Sequence, residues 1–323
     1  MTQVLLTIGS RGSPLALAQS KITRQLLAAK LNLSEAQAEQ QLPIRTFTTS
    51  GDTLQDRCLV DAGGKGLFTK ELELALATGE IDLAVHSMKD VPTQLPDGLR
   101  LAGMLPREDP REALIAGSVA NISDLPKNPI IGTASVRRQA QILHLRPDAK
   151  IVLLRGNVGT RLRRLAEGKF DATFLALAGL NRLGQSDAAS GIIETSQMLP
   201  SPAQGAVGLQ IRDGDDKTFD MTQGICCQQT QIELTIERAF LTVLDGSCRT
   251  PIAALAQLSG FELSFTGEVY LPDGSQKWQR KIKQTLPKTA PLAALLPIAA
   301  SLGETAGRSI TDEAGDLVRF DKP

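Results

Sequence analysis

The sequence predicts an α/β protein whose sheets are covered by helices, followed by a smaller α+β region. Short, apolar, β-rich runs alternate with helical patterns over the first two thirds of the chain. The alternation restarts after Pro106 and Pro110, so the α/β pattern occurs twice and the prolines mark a hinge between the two regions. From about residue 231 the order changes to a helix, a strand pair and a further helix.

The first α/β region begins with a buried strand and a helix, for which Ser13 is the predicted N-cap and Pro14 the first helical residue. Gly79 is expected to close the next helix. Strands are predicted at 4–9, 44–49 and 81–87, and helices at 13–31 and 67–80. Because strands and helices alternate, we expect a parallel sheet.

The second region repeats this pattern, with Ser135 and Thr160 as the expected N-caps of its two helices. Its strands are predicted at 112–117, 129–135, 151–157 and 171–179, and its helices at 135–145 and 160–168. Another apolar strand follows the breaks within 198–211. If that strand returns to the first region, the second region is an insertion.

The last part of the chain reads as a small α+β domain. A helix is predicted at 231–244, two alternating strands surround the Pro-Asp-Gly turn at 272–274, and an Ala/Leu-rich helix covers about 290–307. The acidic, Gln-rich stretch 212–231 is expected to be a solvated connector.

Composition excludes several classes of function. The 323 residues carry a formal net charge of zero and only 3% aromatics, which disfavours a nucleic-acid platform. Four cysteines without a CxxC pair and two distant histidines make a metal site improbable and indicate a reducing compartment. No apolar run reaches the roughly 18 to 20 residues that span a bilayer, and the N-terminal apolar run is too short for a signal peptide. We therefore expect a soluble, cytoplasmic protein.

The segment from Arg137 to Arg164 is strongly basic, with seven arginines and Lys150 against one acid, Asp148. The arginines cluster at two strand-to-helix junctions, "GTASVRR" and "LRGNVGTRL", where helix N-terminal amides also converge. Such a pattern suits a ligand with several negative charges, because guanidinium groups bind carboxylates or phosphates. The alternative is a solvated basic helix face, above all for Arg163 and Arg164.

Two further junctions carry polar residues. In "GSRGSPLA", Arg11 and Ser13 lie at a Gly-rich turn before a helix, which is a weak anion-site signal. In "AVHSMKDVP", Ser87, Lys89 and Asp90 follow the carboxyl end of an apolar strand, where ligands bind in open α/β sheets. A carboxylate there stabilises a developing cation or accepts a proton, or it only caps the loop.

Three other residues allow a structural or a functional interpretation. His86 lies within its strand and is expected to be a hydrogen-bonded core residue. Lys65 and Phe68 belong to the glycine-rich "DAGGKGLF", which is either a flexible lid over a site or a plain loop. Cys248, in "LDGSCRTPIAAL", lies on a loop, where spacing alone leaves a redox thiol, a nucleophile, an attachment point and a structural residue open.

Together the motifs resemble one family. "HSMKDVP", "GGKGLFTKELE", "GTASVRRQAQ", "LRGNVGTRL", "LALAGLNRLG", "QGAVGL" and "LDGSCRTPIAA" are similar, in this order, to hydroxymethylbilane synthases, also called porphobilinogen deaminases. The resemblance covers about residues 8 to 256. It implies two periplasmic-binding-protein-like α/β domains with an interdomain cleft, and a small C-terminal α+β domain. The implied boundaries are 1–105 with 203–228, then 106–202, then 229–323.

The resemblance also implies a reaction and a cofactor. Four porphobilinogen molecules are joined head to tail with release of ammonia, and water then releases the linear tetrapyrrole. A dipyrromethane primer is held covalently, and the residue that matches its attachment point is Cys248. Each pyrrole carries an acetate and a propionate, so a growing chain needs many cationic contacts. A monomer is the family expectation.

The resemblance gives individual residues roles. Asp90 matches the catalytic acid and, with Lys89 and Ser87, a primer contact. The remaining primer contacts that match are Ser135, Arg137, Arg138, Arg155 and Arg161. The substrate contacts that match are Arg11, Ser13, Arg155 and Arg182, and Lys65 and Phe68 match the active-site loop. The alternative from another class is a non-catalytic binding protein for an anionic small molecule, which has no use for the Cys248 motif.

Overall fold

The computed structural model describes residues 3–49, 66–244 and 250–318. Within these, residues 3–49, 66–108 and 205–230 form one compact unit. Residues 109–204, 231–244 and 250–318 form a second unit. No helix in the described part of the chain is both long enough and apolar enough to cross a membrane.

The first unit contains five strands and four helices in its described residues. The strands are β1 (Ile8–Arg11), β2 (Ile44–Phe47), β3 (Leu83–Ser87), β4 (Leu99–Met104) and β10 (Val207–Arg212). The helices are α1 (Pro14–Lys30), α2 (Glu35–Gln41), α3 (Lys70–Ala77) and α7 (Asp216–Gln223). A 3₁₀ turn, Met88–Asp90, follows β3 directly.

The sheet of the first unit has the order β2-β1-β3-β10-β4. β1 pairs in parallel with β2 and β3, whereas β10 is antiparallel to β3 and β4. Its inner face forms a core around Ile8, Leu83, Val85 and Leu209. The strand after the second set of breaks therefore does return to the first sheet, across more than a hundred residues of intervening sequence.

The second unit contains the other α/β sheet, with the order β7-β6-β8-β5-β9. Its strands are β5 (Glu112–Ile115), β6 (Ile130–Gly132), β7 (Lys150–Val152), β8 (Ala172–Ala176) and β9 (Gly191–Ile193). Its helices are α4 (Val136–Leu145), α5 (Val158–Ala166) and α6 (Leu177–Arg182). The core of this sheet lies around Leu114, Ile131, Ile142 and Phe174.

The expectation of purely parallel sheets was wrong for one strand in each. β5 is antiparallel to both β8 and β9, as β10 is to its neighbours. Each of these strands is reached from a segment outside its own sheet rather than through a helix of that sheet. Consecutive parallel strands are joined by a helical crossover within one sheet. β5 and β10 have no such connection to their neighbours, and both run antiparallel to them.

The second unit ends in a three-stranded antiparallel sheet, β11 (Ile252–Ser259), β12 (Glu262–Tyr270) and β13 (Lys277–Thr285). Two helices, α8 (Gln228–Val243) and α9 (Leu292–Ala314), pack with it around Phe240 and Phe265, whose rings meet edge to face. A Cβ on Gly303 of α9 would lie 2.2 Å from the Ile236 carbonyl oxygen, so glycine permits the close approach of α8 and α9. The predicted fold class, two α/β sheets and a small α+β part, is confirmed.

Some local expectations differ from the structure. β11 is a strand that the sequence pattern does not predict, because its alanine-rich sequence has little strand preference. Its pairing with β12 decides its conformation. The strand expected at 171–179 ends at Ala176 and continues as α6. The stretch 212–231 is not a solvated connector: it contains α7, and its Phe219 packs against the core of the first sheet. The cap of α5 is Asn157, which accepts from the Thr160 amide, so Thr160 is not the cap.

Candidate functional site

The first unit has a partly open pocket at the carboxyl ends of β1 and β3. These strands are parallel neighbours, so the residues that follow them lie at one edge of the sheet. The structure brings six of the predicted residues together in the pocket lining: Arg11, Ser13, Phe68, Ser87, Lys89 and Asp90. The sequence signals at two separate turns thus belong to one pocket.

Local structure positions each of these side chains. Arg11 is the last residue of β1, and Ser13 is the N-cap of α1, where its hydroxyl accepts from the Ala16 amide at 3.3 Å. Buried Met88 anchors the 3₁₀ turn that carries Asp90. Ser87 exchanges hydrogen bonds with the buried Gln19, at 2.8 and 3.1 Å. The turns therefore aim polar groups into the pocket while their backbones are held by buried neighbours.

Arg11 is the central charge of the pocket. Its Nη1 lies 3.9 Å from Asp90 Oδ2, and its Cζ lies 4.2 Å from the centre of the Phe68 ring. Both charged side chains are partly exposed, at 18% for Arg11 and 28% for Asp90. At this separation the two charges attract each other without a short hydrogen bond between them.

A buried polar layer adjoins the pocket, and its His86 is one of the pocket-lining residues. His86 is a core residue, as predicted, with a ring nitrogen 2.9 Å from Gln210 Oε1. Burial first, and then the charge of Arg11, lowers the pKa of His86 to about 4 despite this hydrogen bond. Burial likewise raises the pKa of Glu73, which the Gln210 amide reaches at 3.5 Å. The His86 side chain is therefore uncharged at physiological pH.

In the second unit, Ser135 caps α4 as predicted, and its hydroxyl accepts from the Arg138 amide at 3.3 Å. Arg137 and Arg138 are each 6% exposed and share one carboxylate, that of Glu112 on β5. Burial alone would raise the pKa of Glu112, but the charges of Arg138 and Arg137 lower it to about 2. Glu112 is therefore ionised in the folded protein at neutral pH.

Arg155 and Arg161 lie at the next junction, after β7. Arg161 is in the first turn of α5, and its Nε donates to the Gly156 carbonyl oxygen at 2.9 Å. Desolvation, with repulsion from Arg138 and Arg155, lowers the pKa of Arg161 to about 10. The structure therefore places Arg138 and Arg155 within electrostatic range of Arg161, whose guanidinium stays protonated at neutral pH.

The remaining predicted site residues are Arg182, Cys248 and Lys65. Arg182 is the half-buried last residue of α6, and α6 and α5 share an apolar cluster through Leu180 and Leu162. Cys248 and Lys65 lie outside the described residues. Arg163 and Arg164 are exposed on α5, as the solvated-face interpretation has it.

Two residues that the sequence analysis missed complete the second set. Glu112 accepts from both arginines, and the amide of Gln204 reaches Glu112 Oε1 at 3.2 Å and donates to the Pro110 carbonyl oxygen at 2.7 Å. A signal existed for Glu112, because it is the one charged residue in the apolar run "EALIAG". A charge in a buried strand needs a partner, and the basic segment supplies two.

Two further cysteines, Cys226 and Cys227, lie in the described part of the chain. Burial raises the pKa of Cys226 to about 11, so its thiol is protonated and packs against the core of the first sheet. Cys227 is partly buried, and its amide donates to the Met104 carbonyl oxygen. Within residues 3–49, 66–244 and 250–318, no three His, Cys, Asp or Glu side chains come together as metal ligands would.

Comparison with known families gives two matches. Residues 6–220 match the family model "Porphobilinogen deaminase, dipyromethane cofactor binding domain", and residues 231–302 match "Porphobilinogen deaminase, C-terminal domain". Curated proteins named porphobilinogen deaminase are similar over nearly the whole chain. The protein of Nitrobacter hamburgensis is 48% identical and that of Nitrobacter winogradskyi 46% identical, each over 98% of this chain and 95% of the relative.

Among solved structures, a periplasmic substrate-binding protein of an ABC transporter from Coxiella burnetii is similar at low level. It is 15% identical, with a TM-score of 0.42, over 68% of this chain and 91% of that protein.

Proposed function

Because this chain belongs to the porphobilinogen deaminase family, we propose that Asp90 and the cations around it form its active site. The chain is a transferase of tetrapyrrole biosynthesis. It joins four porphobilinogen molecules head to tail on a dipyrromethane cofactor, with release of ammonia at each step, and water then releases hydroxymethylbilane. The alternative, a non-catalytic binder of small anions, is not favoured by these similarities.

One observation carries the assignment of the site. Arg11 and Asp90 come from two turns of the first sheet and meet in one pocket, with their charged atoms 3.9 Å apart. Loss of ammonia from porphobilinogen leaves a cationic methylene-pyrrolenine. In our proposal the Asp90 carboxylate stabilises that cation and moves protons at the pyrrole nitrogens, while Arg11 and Ser13 bind the substrate carboxylates. Phe68 positions the Arg11 guanidinium through its ring face.

The donor set fits a cofactor that carries carboxylates. The first unit offers Ser87 and Lys89 beside Asp90, and the second offers Ser135 and arginines. Among the described residues, Arg138 Nε is buried without a hydrogen-bond partner, as expected of a donor intended for a ligand. When bound, dipyrromethane supplies the pyrrole carbon to which the first porphobilinogen is joined. We propose that Ser135, Arg137, Arg138, Arg155 and Arg161 hold its acidic side chains together with Ser87, Lys89 and Asp90.

We also propose that the cofactor is attached through Cys248, with substrate contacts extending to Arg155 and Arg182 and with Lys65 in the active-site loop. The resemblance of "LDGSCRTPIAA" to the attachment motif supports the thioether. The domain boundaries 1–105 with 203–228, 106–202 and 229–323, and a cleft that unites the two sets of residues, stay predictions. A monomeric state and a cytoplasmic location also stay predictions. The family resemblance supports the first, and the irregular cysteine spacing supports the second.

The test of this proposal is intact-mass analysis of the purified protein, followed by peptide mapping. We expect an excess mass of two deaminated pyrrole units on the peptide that contains Cys248. Cys248→Ser should lack this mass, whereas Cys227→Ser, a matched change of another thiol, should retain it. An unmodified wild-type chain that also takes up no pyrrole from added porphobilinogen would contradict the attachment.

A further inference from the structure

Glu112 is the most deeply buried charge near the proposed cofactor contacts of the second unit. It is the first residue of β5 and is 0% exposed. Its Oε1 accepts from Arg137 Nη2 at 2.5 Å, and its Oε2 accepts from Arg138 Nη2 at 2.7 Å. The Gln204 amide adds a third donor at 3.2 Å. One carboxylate therefore ties together two adjacent residues of α4 and fixes both guanidinium groups.

The charges do not cancel. Two guanidinium groups share a single carboxylate, so the buried group keeps a net positive charge. Isolated buried charges are costly, and removing one partner of such a pair is strongly destabilising. Glu112 thus makes the burial of two arginines tolerable while leaving one positive charge for an anionic ligand.

The two arginines differ in what remains free to bind a ligand. Arg137 Nη1 donates to Gln141 Oε1 at 2.9 Å and to the Leu199 carbonyl oxygen at 2.8 Å, so Arg137 is bound on two sides by the protein. Arg138 donates to Glu112 through Nη2, and its buried Nε finds no hydrogen-bond acceptor among the described residues. The guanidinium plane of Arg138 is therefore set by Glu112, with a donor left over.

We propose that Glu112 is a positioning residue for the cofactor. It holds the Arg138 guanidinium so that the remaining N–H groups of Arg138 donate to a carboxylate of the dipyrromethane group. This inference rests on the proposed function, in which Arg138 is a cofactor contact. It adds that the geometry of the helical Arg138 comes from a carboxylate on strand β5, 26 residues earlier in the chain. Glu112 therefore affects the rate of cofactor loading, whereas an ordinary buried ion pair affects only stability.

The test measures cofactor loading and stability separately. Glu112→Gln keeps the shape and removes the charge, and Glu112→Asp keeps the charge but withdraws it by one methylene. Glu237→Gln is the matched control. Glu237 is another 0% exposed glutamate of the same unit, and it accepts from the Ala203 and Ala256 amides. Apo-protein of each variant is incubated with porphobilinogen, loading is followed by intact mass, and stability is measured by urea unfolding.

A charged hydrogen bond contributes about 1.5 to 3 kcal/mol, which corresponds to roughly ten- to hundredfold. We expect loading of Glu112→Gln to be slowed at least about tenfold and that of Glu112→Asp by about threefold. Glu237→Gln should lose stability and load at the wild-type rate. Loading at the wild-type rate in Glu112→Asp, or in a folded Glu112→Gln, would overturn the inference. Faster loading in Glu112→Gln would also overturn it, since Glu112 would then compete with the cofactor for Arg138.

Arg138→Leu separates this inference from the proposal on which it rests. If Arg138→Leu and Glu112→Gln both fail to load while Glu237→Gln loads, both proposals hold. If only Arg138→Leu fails, the cofactor contact stands and the role of Glu112 is wrong. If Arg138→Leu loads normally, Arg138 is no cofactor contact, and the proposed function fails at that residue. If Glu112→Gln does not fold, Glu112→Asp decides the inference by the same loading rate.

Discussion

The two α/β sheets have the same plan but hold their arginines differently. Counted from one edge, the fourth strand of each is antiparallel to its neighbours, β10 in the first and β5 in the second. In the first unit, Arg11 is partly exposed and 3.9 Å from Asp90 in an open pocket. In the second, Arg137 and Arg138 are buried on Glu112, which sits on that antiparallel strand. An arginine at a strand-to-helix junction is thus available to a ligand only to the extent that its protein partners allow.

The largest expected effect breaks the first-unit site. Asp90→Asn should fold normally and lower the condensation rate by about a hundredfold or more, because the stabilising charge for the methylene-pyrrolenine is lost. The measurement is ammonia release at saturating porphobilinogen. The control is Asp97→Asn, the same change at an exposed position of the following loop. Near-normal turnover of Asp90→Asn would remove Asp90 from catalysis.

The second prediction concerns the buried carboxylate of the second sheet. The pKa of Glu112 is lowered from 4.5 to about 2 in the folded protein, so it contributes stability above its unfolded pKa and loses it as pH falls towards 2. The advantage of the wild type over Glu112→Gln in free energy of unfolding should therefore shrink between pH 5 and pH 3, out of about 3 kcal/mol in total. Urea unfolding at each pH measures it. A constant difference would mean that Glu112 is not ionised in the fold.

The third prediction tests what holds the arginine-bearing helix of the second unit. Gly274, in the β12–β13 turn, has φ +73°, and a Cβ there would lie 2.5 Å from the His144 amide nitrogen of α4. The His144 Nδ1 also hydrogen-bonds to the Gly274 carbonyl oxygen at 2.9 Å. Gly274→Ala should cost about 2 to 3 kcal/mol in urea unfolding, because backbone must move.

Gly260→Ala is the matched control for the turn. Gly260 also has a positive φ, +60°, but a Cβ there meets nothing within 4 Å. Its cost should be only the backbone strain, about 1 kcal/mol. Equal costs at the two glycines would show that the turn does not depend on its close approach to α4.

The smallest expected effect sharpens the first site. Phe68→Leu removes the ring under Arg11, a contact of about 0.5 to 1 kcal/mol, and should raise the KM for porphobilinogen about two- to fivefold with little change in kcat. Phe219→Leu removes the ring below Arg100, at 4.4 Å in the same unit, and should lower stability alone. An unchanged KM for Phe68→Leu would place Phe68 outside the substrate site.

Much of the fold was predictable because its signals are local. Ser13 and Ser135 were identified as N-caps from their place before apolar helical runs, and the structure confirms both. Thr160 was misassigned because Asn157 stands three residues earlier and also caps well. β11 was missed because an alanine-rich run has no strand signal of its own.

The sequence by itself determined the element types, the basic junctions, the Asp90 turn and the family to which the chain belongs, since each depends on neighbouring residues or on an ordered set of motifs. Only the tertiary structure decided which residues become partners. Glu112 lies 25 residues from Arg137, and His86 lies 124 residues from Gln210. Such pairs form because the tertiary structure brings a strand against a distant strand, as for His86, or against a helix, as for Glu112. A buried charge or polar group must then find its partner among the neighbours that the topology supplies.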